Sequence, residues 1–106
     1  MFTLIFHPDA DEEIQELDDR MRGKAILALE LLSAQGNQLR YPHTEPLRNG
    51  LIELRAGRKD ITRTIFAFAK GKKIYILRTF VKKTPKTPPA EIKLALTRLE
   101  EMTNES

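Results

Sequence analysis

Apolar positions recur along this chain at two periods, and the changes between them mark the elements. From Phe2 to His7 they alternate in a run rich in Phe, Ile and Thr, which predicts a strand that Pro8 ends because proline cannot continue a ladder. Ala10, Ile14, Leu17 and Met21 then repeat at helical spacing. Pro8 suits a first helical position, and Asp9, Asp11, Glu12 and Glu13 complement the positive end of a helix dipole. A break or bend is expected at Arg20 to Lys24, before Ala25, Ala28, Leu29 and Leu32 resume the stripe and Gly36 caps it. The expectation is a helical hairpin over residues 9–35, with its acidic first helix exposed to solvent on the side away from the basic strands.

Residues 37–50, with Tyr41-Pro42, Glu45-Pro46 and Asn49-Gly50, have the composition of a connecting loop. Period-two patterning returns at Leu51 to Ala56, Ile61 to Ala69 and Lys73 to Val81, separated by Gly57-Arg58-Lys59-Asp60 and Lys70-Gly71-Lys72, which predicts an antiparallel meander. A last helix is signalled by Thr87 as cap, Pro88 and Pro89 in the first turn, and Ile92, Ala95, Leu96 and Leu99 along one side. A turn at 70–73 sets Arg63 opposite Phe80 and Ile65 opposite Arg78, so Arg63, Arg78 and Phe80 share a face. Arg55 joins them if the Gly57 connection is odd in length or bulged, whereas strand alternation turns Tyr75 to the other face.

A chain of 106 residues fits one domain, 1–106, since two would each bury too little apolar surface. The absence of cysteine excludes disulfides, thiol nucleophiles and thiolate metal sites, and suits a reducing cytoplasm. The short apolar N-terminus lacks a preceding basic region, so neither a signal peptide nor a membrane span is expected. Neither metal-ligand spacing nor a glycine-rich phosphate loop is present, so no cofactor is expected. Charge adds most to the picture. Between Arg40 and Lys93 there are fourteen Lys and Arg against four Asp and Glu, so the formal net charge of +3 conceals a polarised molecule. Such a field draws polyanions.

The stretches Pro46 to Arg55, Thr62 to Ile65, Phe80 to Pro88 and Glu91-Ile92 together resemble the phage-derived HigB-like branch of the RelE/ParE toxin superfamily. The resemblance covers residues 40–100, and the run Phe80-Val81-Lys82-Lys83-Thr84-Pro85-Lys86-Thr87-Pro88 is its most specific part. It implies a RelE-like α+β fold with an antiparallel sheet. It also implies a type II toxin acting as a ribosome-dependent mRNA interferase, an endoribonuclease that blocks translation. The implied partners are mRNA, the ribosome and a separately encoded antitoxin of helix-turn-helix, HigA-like type. Some members of the superfamily inhibit DNA gyrase without catalysis, and a simple nucleic-acid-binding module is a third reading, because a fold does not set its target.

Metal-independent RNA cleavage needs a proton acceptor for the ribose 2′-hydroxyl and cations for the developing phosphorane. Guanidinium suits the second task, being planar and permanently charged, so Arg63 and Arg78 are assigned to phosphate. Lys82 joins them as a catalytic candidate, since a lysine desolvated among arginines can carry a proton. Arg55, Lys83 and Lys86 are assigned to flanking phosphates and Phe80 to a stacked base. The alternatives are an ion pair with Glu53 for either arginine, a solvated rim for the lysines and a core position for Phe80. His7 is read as a helix cap, and His43 as a lesser candidate for proton transfer. Substituting Arg63 or Arg78 by alanine is expected to relieve toxicity and leave the fold intact. No tyrosine or histidine follows Tyr75, so the general base is unassigned.

Overall fold

The computed structural model describes residues 1–58 and 61–104, so the expected Gly57–Asp60 turn lies partly outside the described residues. The elements are β1 (Thr3–Phe6), α1 (Pro8–Gln15), α2 (Asp19–Gln35), β2 (Thr44–Pro46), β3 (Ile52–Ala56), β4 (Thr62–Ala69), β5 (Lys73–Val81) and α3 (Pro89–Thr103). The class is α+β, and one sheet has the strand order β1-β5-β4-β3-β2. The meander β3-β4-β5 is antiparallel as expected, but β1 runs parallel to β5, which makes the sheet mixed. No tight turn joins these two strands. The whole stretch from α1 to β4 intervenes, and a crossover that long permits parallel pairing.

Three expected boundaries move. The helical hairpin breaks at residues 16–18 instead of Arg20 to Lys24, because Asp18 caps α2 by accepting a hydrogen bond from the Met21 N–H at 2.8 Å. Gly23 sits inside α2 with open space around it. Within the predicted loop, Thr44–Pro46 pairs with β3 as a fifth strand. Three residues are too few to display alternation, and at a sheet edge the missing N–H of Pro46 breaks no ladder. At α3 the N-cap is Pro88 rather than Thr87. Gly36 caps α2 as expected, with φ +53, and a Cβ there would overlap the Phe2 ring.

The sheet is covered on both faces. One face packs Leu54, Phe66, Ile74 and Ile76 against Ala10, Ile14, Leu29 and Leu32 of the α1–α2 hairpin. The other packs Ile65, Ala67, Leu77 and Phe80 against Ile92 and Ala95 of α3. Full burial of a side chain such as Phe66 or Leu32 contributes roughly 1.5–3 kcal/mol. Among the described residues, no helix is long and apolar enough to cross a membrane.

Register is what builds the site. Arg63 pairs with Phe80 and Ile65 with Arg78, as expected, although Ala69 pairs with Lys73 and a bulge between Ile65 and Phe66 gives β5 one extra residue, Leu77. That extra residue absorbs one alternation, so Tyr75 lies on the α3 face with Phe80 and Arg78, contrary to the expectation from simple alternation. Arg55 pairs directly with Arg63. The connection from residue 57 to residue 61 is therefore odd in length, which was the condition for Arg55 to join this face.

Candidate nucleic-acid interface

Two adjacent rows of side chains cross the α3 face of the sheet. One runs Glu45, Glu53, Ile65, Arg78 over β2, β3, β4 and β5. The other runs Arg55, Arg63, Phe80 over β3, β4 and β5. The three residues expected to share a surface do share it, and Arg55 is the fourth. The two rows also interleave arginines with carboxylates, and this decides what each cation can do.

Glu53 is the hub on one side. Its carboxylate is 2% exposed and lies under the chain that leads into α3. Arg63, 4% exposed, places Nε 3.0 Å from Glu53 Oε1 without aiming the N–H at it, so Nε forms an ion pair but no hydrogen bond. Arg55 donates from Nε to Glu53 Oε1 at 3.4 Å, pairs with Glu45 through Nη2, and lies 5.5 Å from the centre of the Tyr41 ring. The Thr87 hydroxyl donates to Glu53 Oε2. Thr87 stands one residue before the N-cap Pro88, where no side chain caps α3, and its hydroxyl turns to the sheet instead.

A second network holds Arg78. Its Nε and Nη2 donate to the two oxygens of Glu91 at 2.7 and 3.2 Å, and its Nη1 donates to Glu13 Oε2 at 2.6 Å. Arg98 of α3 donates to Glu13 Oε1 at 2.9 Å and to the Leu77 carbonyl at 3.0 Å. The Thr79 N–H also donates to Glu13 at 3.1 Å. Glu13 reaches this edge because β1 stops opposite Ile76, and α1 covers the β5 residues beyond it. So the acidic helix is not wholly turned to solvent: Asp11, Glu12 and Glu16 are exposed, while Glu13 points inward. Hydrogen bonds donated to Glu91 outweigh desolvation and raise the Arg78 pKa.

Between these networks runs the segment from Lys82 to Thr87, a wall between two grooves. One groove, of about 450 Å³, is lined by Arg78, Phe80, Lys83, Thr84 and Glu91. The other, of about 270 Å³, is lined by Glu45, Glu53, Arg55, Lys86 and Thr87. Among the described residues Lys83 and Lys86 form no ion pair, which leaves both ammonium groups available to an incoming anion. Lys82 is half-buried at the base of the wall, its N–H donating to the Ile61 carbonyl at 2.8 Å. Desolvation and the neighbouring Arg63 charge push its ammonium pKa down, against the pull of Glu53. Desolvation also lowers the pKa of Arg63.

Each candidate thus has a place. Lys83 and Lys86 are exposed and unpaired, Arg55 is half-buried in a groove, and Lys82 sits within the field of Arg63 and Arg55. Phe80, 8% exposed, is a core residue beneath the Arg78 guanidinium, 5.8 Å from its ring centre. Both arginines assigned to phosphate engage carboxylates, and for Arg63 this is the Glu53 pair that the sequence left open. His43 is exposed, and His7 caps α1 through Nδ1 while Nε2 meets Glu101 at 2.7 Å. Glu13, Glu91, Arg98 and Thr87 were missed as members of the site. A signal existed for two of them: Glu13 lies three residues after buried Ala10, and Arg98 three after buried Ala95, each on an inward helical stripe.

Over residues 12–100 the sequence matches the model of a protein family described as phage derived protein Gp49-like. No match is found among curated proteins. Among solved structures, the chain is similar to one in the crystal structure of the toxin–antitoxin complex RelBE2 from Mycobacterium tuberculosis. The identity is 25%, over 76% of this chain and 98% of that chain, with a TM-score of 0.48.

Proposed function

Because this chain belongs to the phage-derived Gp49-like family, whose model it matches over residues 12–100, we propose that it is the toxin of a type II toxin–antitoxin pair. Its activity is that of a metal-independent mRNA endonuclease that cuts translated message on the ribosome. The observation that carries this reading is Lys82: a lysine whose ammonium is destabilised by desolvation and by Arg63, beside Glu53 and Arg55 and at the start of the segment whose unpaired Lys83 and Lys86 line two grooves. The similarity of the run Phe80 to Pro88 to the HigB-like branch supports it from the sequence side.

In this reading Lys82 supplies the missing general base. A lowered pKa leaves a larger neutral fraction near pH 7, which can take the proton of the ribose 2′-hydroxyl. The 2′-oxygen then attacks phosphorus, and the bond from phosphorus to the 5′-oxygen breaks. That oxygen takes a proton from solvent, leaving a 2′,3′-cyclic phosphate and a 5′-hydroxyl end. Arg55 and Lys86 line the groove where phosphorane charge develops, and Lys83 lines the groove that takes a flanking phosphate. Arg63 works through Lys82 as a positioning cation, since its own guanidinium is buried against Glu53. Arg78, its donors committed to Glu13 and Glu91, holds the wall of the second groove, and Phe80 supports it from the core.

Orientation by the ribosome supplies the remainder, because positioning alone contributes several kcal/mol. The partners of this reading are mRNA, the ribosome and a HigA-like helix-turn-helix antitoxin, in the cytoplasm. Induction of the chain in bacterial cells, with mapping of RNA 5′ ends, is expected to reveal new cuts within translated frames. DNA-damage signalling without such cuts would replace this reading with gyrase inhibition. Growth unaffected by induction, with salt-sensitive RNA binding alone, would leave a binding module.

A further inference from the structure

We propose that the hydrogen bond from Thr87 to Glu53 is a latch that positions the lysine-bearing wall for RNA, which makes Thr87 and Glu53 positioning residues of the interface. The inference rests on the reading of the site as an RNA-cleaving one and adds what sets its geometry. β5 ends at Val81 and α3 begins at Pro89, so the intervening segment is held at its start by the Lys82 N–H on the Ile61 carbonyl. From Lys83 to Thr87 its side chains are exposed or half-buried, and Thr84 bonds only within the segment, to the Lys86 carbonyl at 2.8 Å. Among the described residues, the Thr87 hydroxyl makes the one hydrogen bond from this stretch into the sheet.

Its acceptor is well suited to the task. Glu53 is buried and faces Arg63 and Arg55, two cations that pair with its carboxylate in a place where an unpaired charge would be costly. A carboxylate paired with cations is a stronger acceptor for the Thr87 hydroxyl than a neutral group would be. Lys83 lines one groove and Lys86 the other, so a shift of the wall displaces both ammonium groups together. The latch therefore couples the buried rows of the sheet to the exposed cations: through Thr87, Glu53 decides where the lysines stand.

The test uses the purified full-length chain and a fluorescent single-stranded RNA carrying 2′-deoxy linkages, so that binding is measured without cleavage. Thr87→Val keeps the shape and removes the hydroxyl, whereas Thr87→Ser keeps the hydroxyl. Affinity is expected to fall about ten-fold in Thr87→Val, the scale of a single charge-assisted hydrogen bond, and to stay within about two-fold in Thr87→Ser. The salt dependence should flatten in Thr87→Val by about 0.7 in log–log slope for each phosphate that is no longer neutralised. Non-additivity supplies the readout that a merely structural role would not move. Lys86→Ala should weaken binding in the parent and have little further effect in the Thr87→Val background. Equal effects of Lys86→Ala in both backgrounds, or a Thr87→Ser protein as weak as Thr87→Val, would overturn the latch and leave the ribonuclease reading standing. A parent that binds RNA no better than a neutral protein of this size at low salt would overturn the latch, while the ribonuclease reading is decided separately by the mapping of RNA 5′ ends.

Discussion

Glu53 and Arg63, diagonal neighbours on β3 and β4, bury an ion pair in which Nε stands 3.0 Å from Oε1 but is not directed at it. The consequence is a cation whose field reaches Lys82 while its own donors stay away from solvent. In Arg63→Gln that field is gone, while Glu53 continues to favour the charged ammonium. The Lys82 pKa then rises toward its ordinary value, and a base with a higher pKa is neutral only at higher pH. The acid limb of the kcat/KM profile for RNA cleavage is expected to move to higher pH in Arg63→Gln. A limb that stays in place, or moves to lower pH, would show that Arg63 does not hold the pKa of the base down.

Lys82→Arg separates charge from proton transfer. Arginine keeps the positive charge that attracts phosphate but does not deprotonate in proteins, so it cannot serve as a base. Loss of a positioned general base typically costs about 10²- to 10⁴-fold in rate. Cleavage by Lys82→Arg is expected to fall by that amount while RNA affinity stays within about two-fold of the parent. Retention of most of the activity would show that Lys82 only binds.

How much of this could be seen in the chain alone depends on the range of the signal. The pairing of Arg63 with Phe80 and of Ile65 with Arg78 was legible because short turns and period-two patterning are local features. It emerged despite an unforeseen bulge at Leu77, which restored the register across Ile65 and carried Tyr75 to the other face. The commitments of Arg78 were not legible. Its partners Glu13 and Glu91 are separated from it by 65 and 13 positions, and their meeting depends on where β1 stops and how α3 docks. Thr87 was read as a helix cap, the ordinary local role of threonine, and its bond to Glu53 is tertiary. Glu53 itself was visible as a possible arginine partner, because it falls in the same alternating strand as Arg55.

Arg78→Ala is a stability variant more than an activity variant, which changes the expectation from sequence that it would leave the fold intact. Removal of the guanidinium leaves Glu91 without its bidentate partner and takes one donor from Glu13, in a region where all three side chains are about one-fifth exposed. Unpairing largely buried carboxylates costs on the order of 2–4 kcal/mol. Urea unfolding monitored by circular dichroism is expected to show that loss, with Arg78→Lys recovering part of it through a single charged interaction. An Arg78→Ala protein as stable as the parent would show that the network holds nothing together.

The same network predicts how stability responds to acid. Burial pushes the Glu13 carboxyl up, but hydrogen bonds from Arg98, the Thr79 N–H and Arg78 outweigh it and hold the pKa below its ordinary value of 4.5. A carboxyl depressed in the folded state contributes stability that is fully present above its unfolded pKa and is lost as pH falls through the folded one. The window therefore opens near pH 4.5 and extends downward. In Glu13→Gln the chain keeps a hydrogen-bond acceptor but loses the titrating group, so its stability should be lower at pH 7 and fall less steeply below pH 4.5. Melting temperatures of the two proteins across that range are expected to converge as acid protonates Glu13 in the parent. Parallel curves would mean that Glu13 has the same pKa folded and unfolded, and that the clasp joining α1, β5 and α3 does not act through its charge.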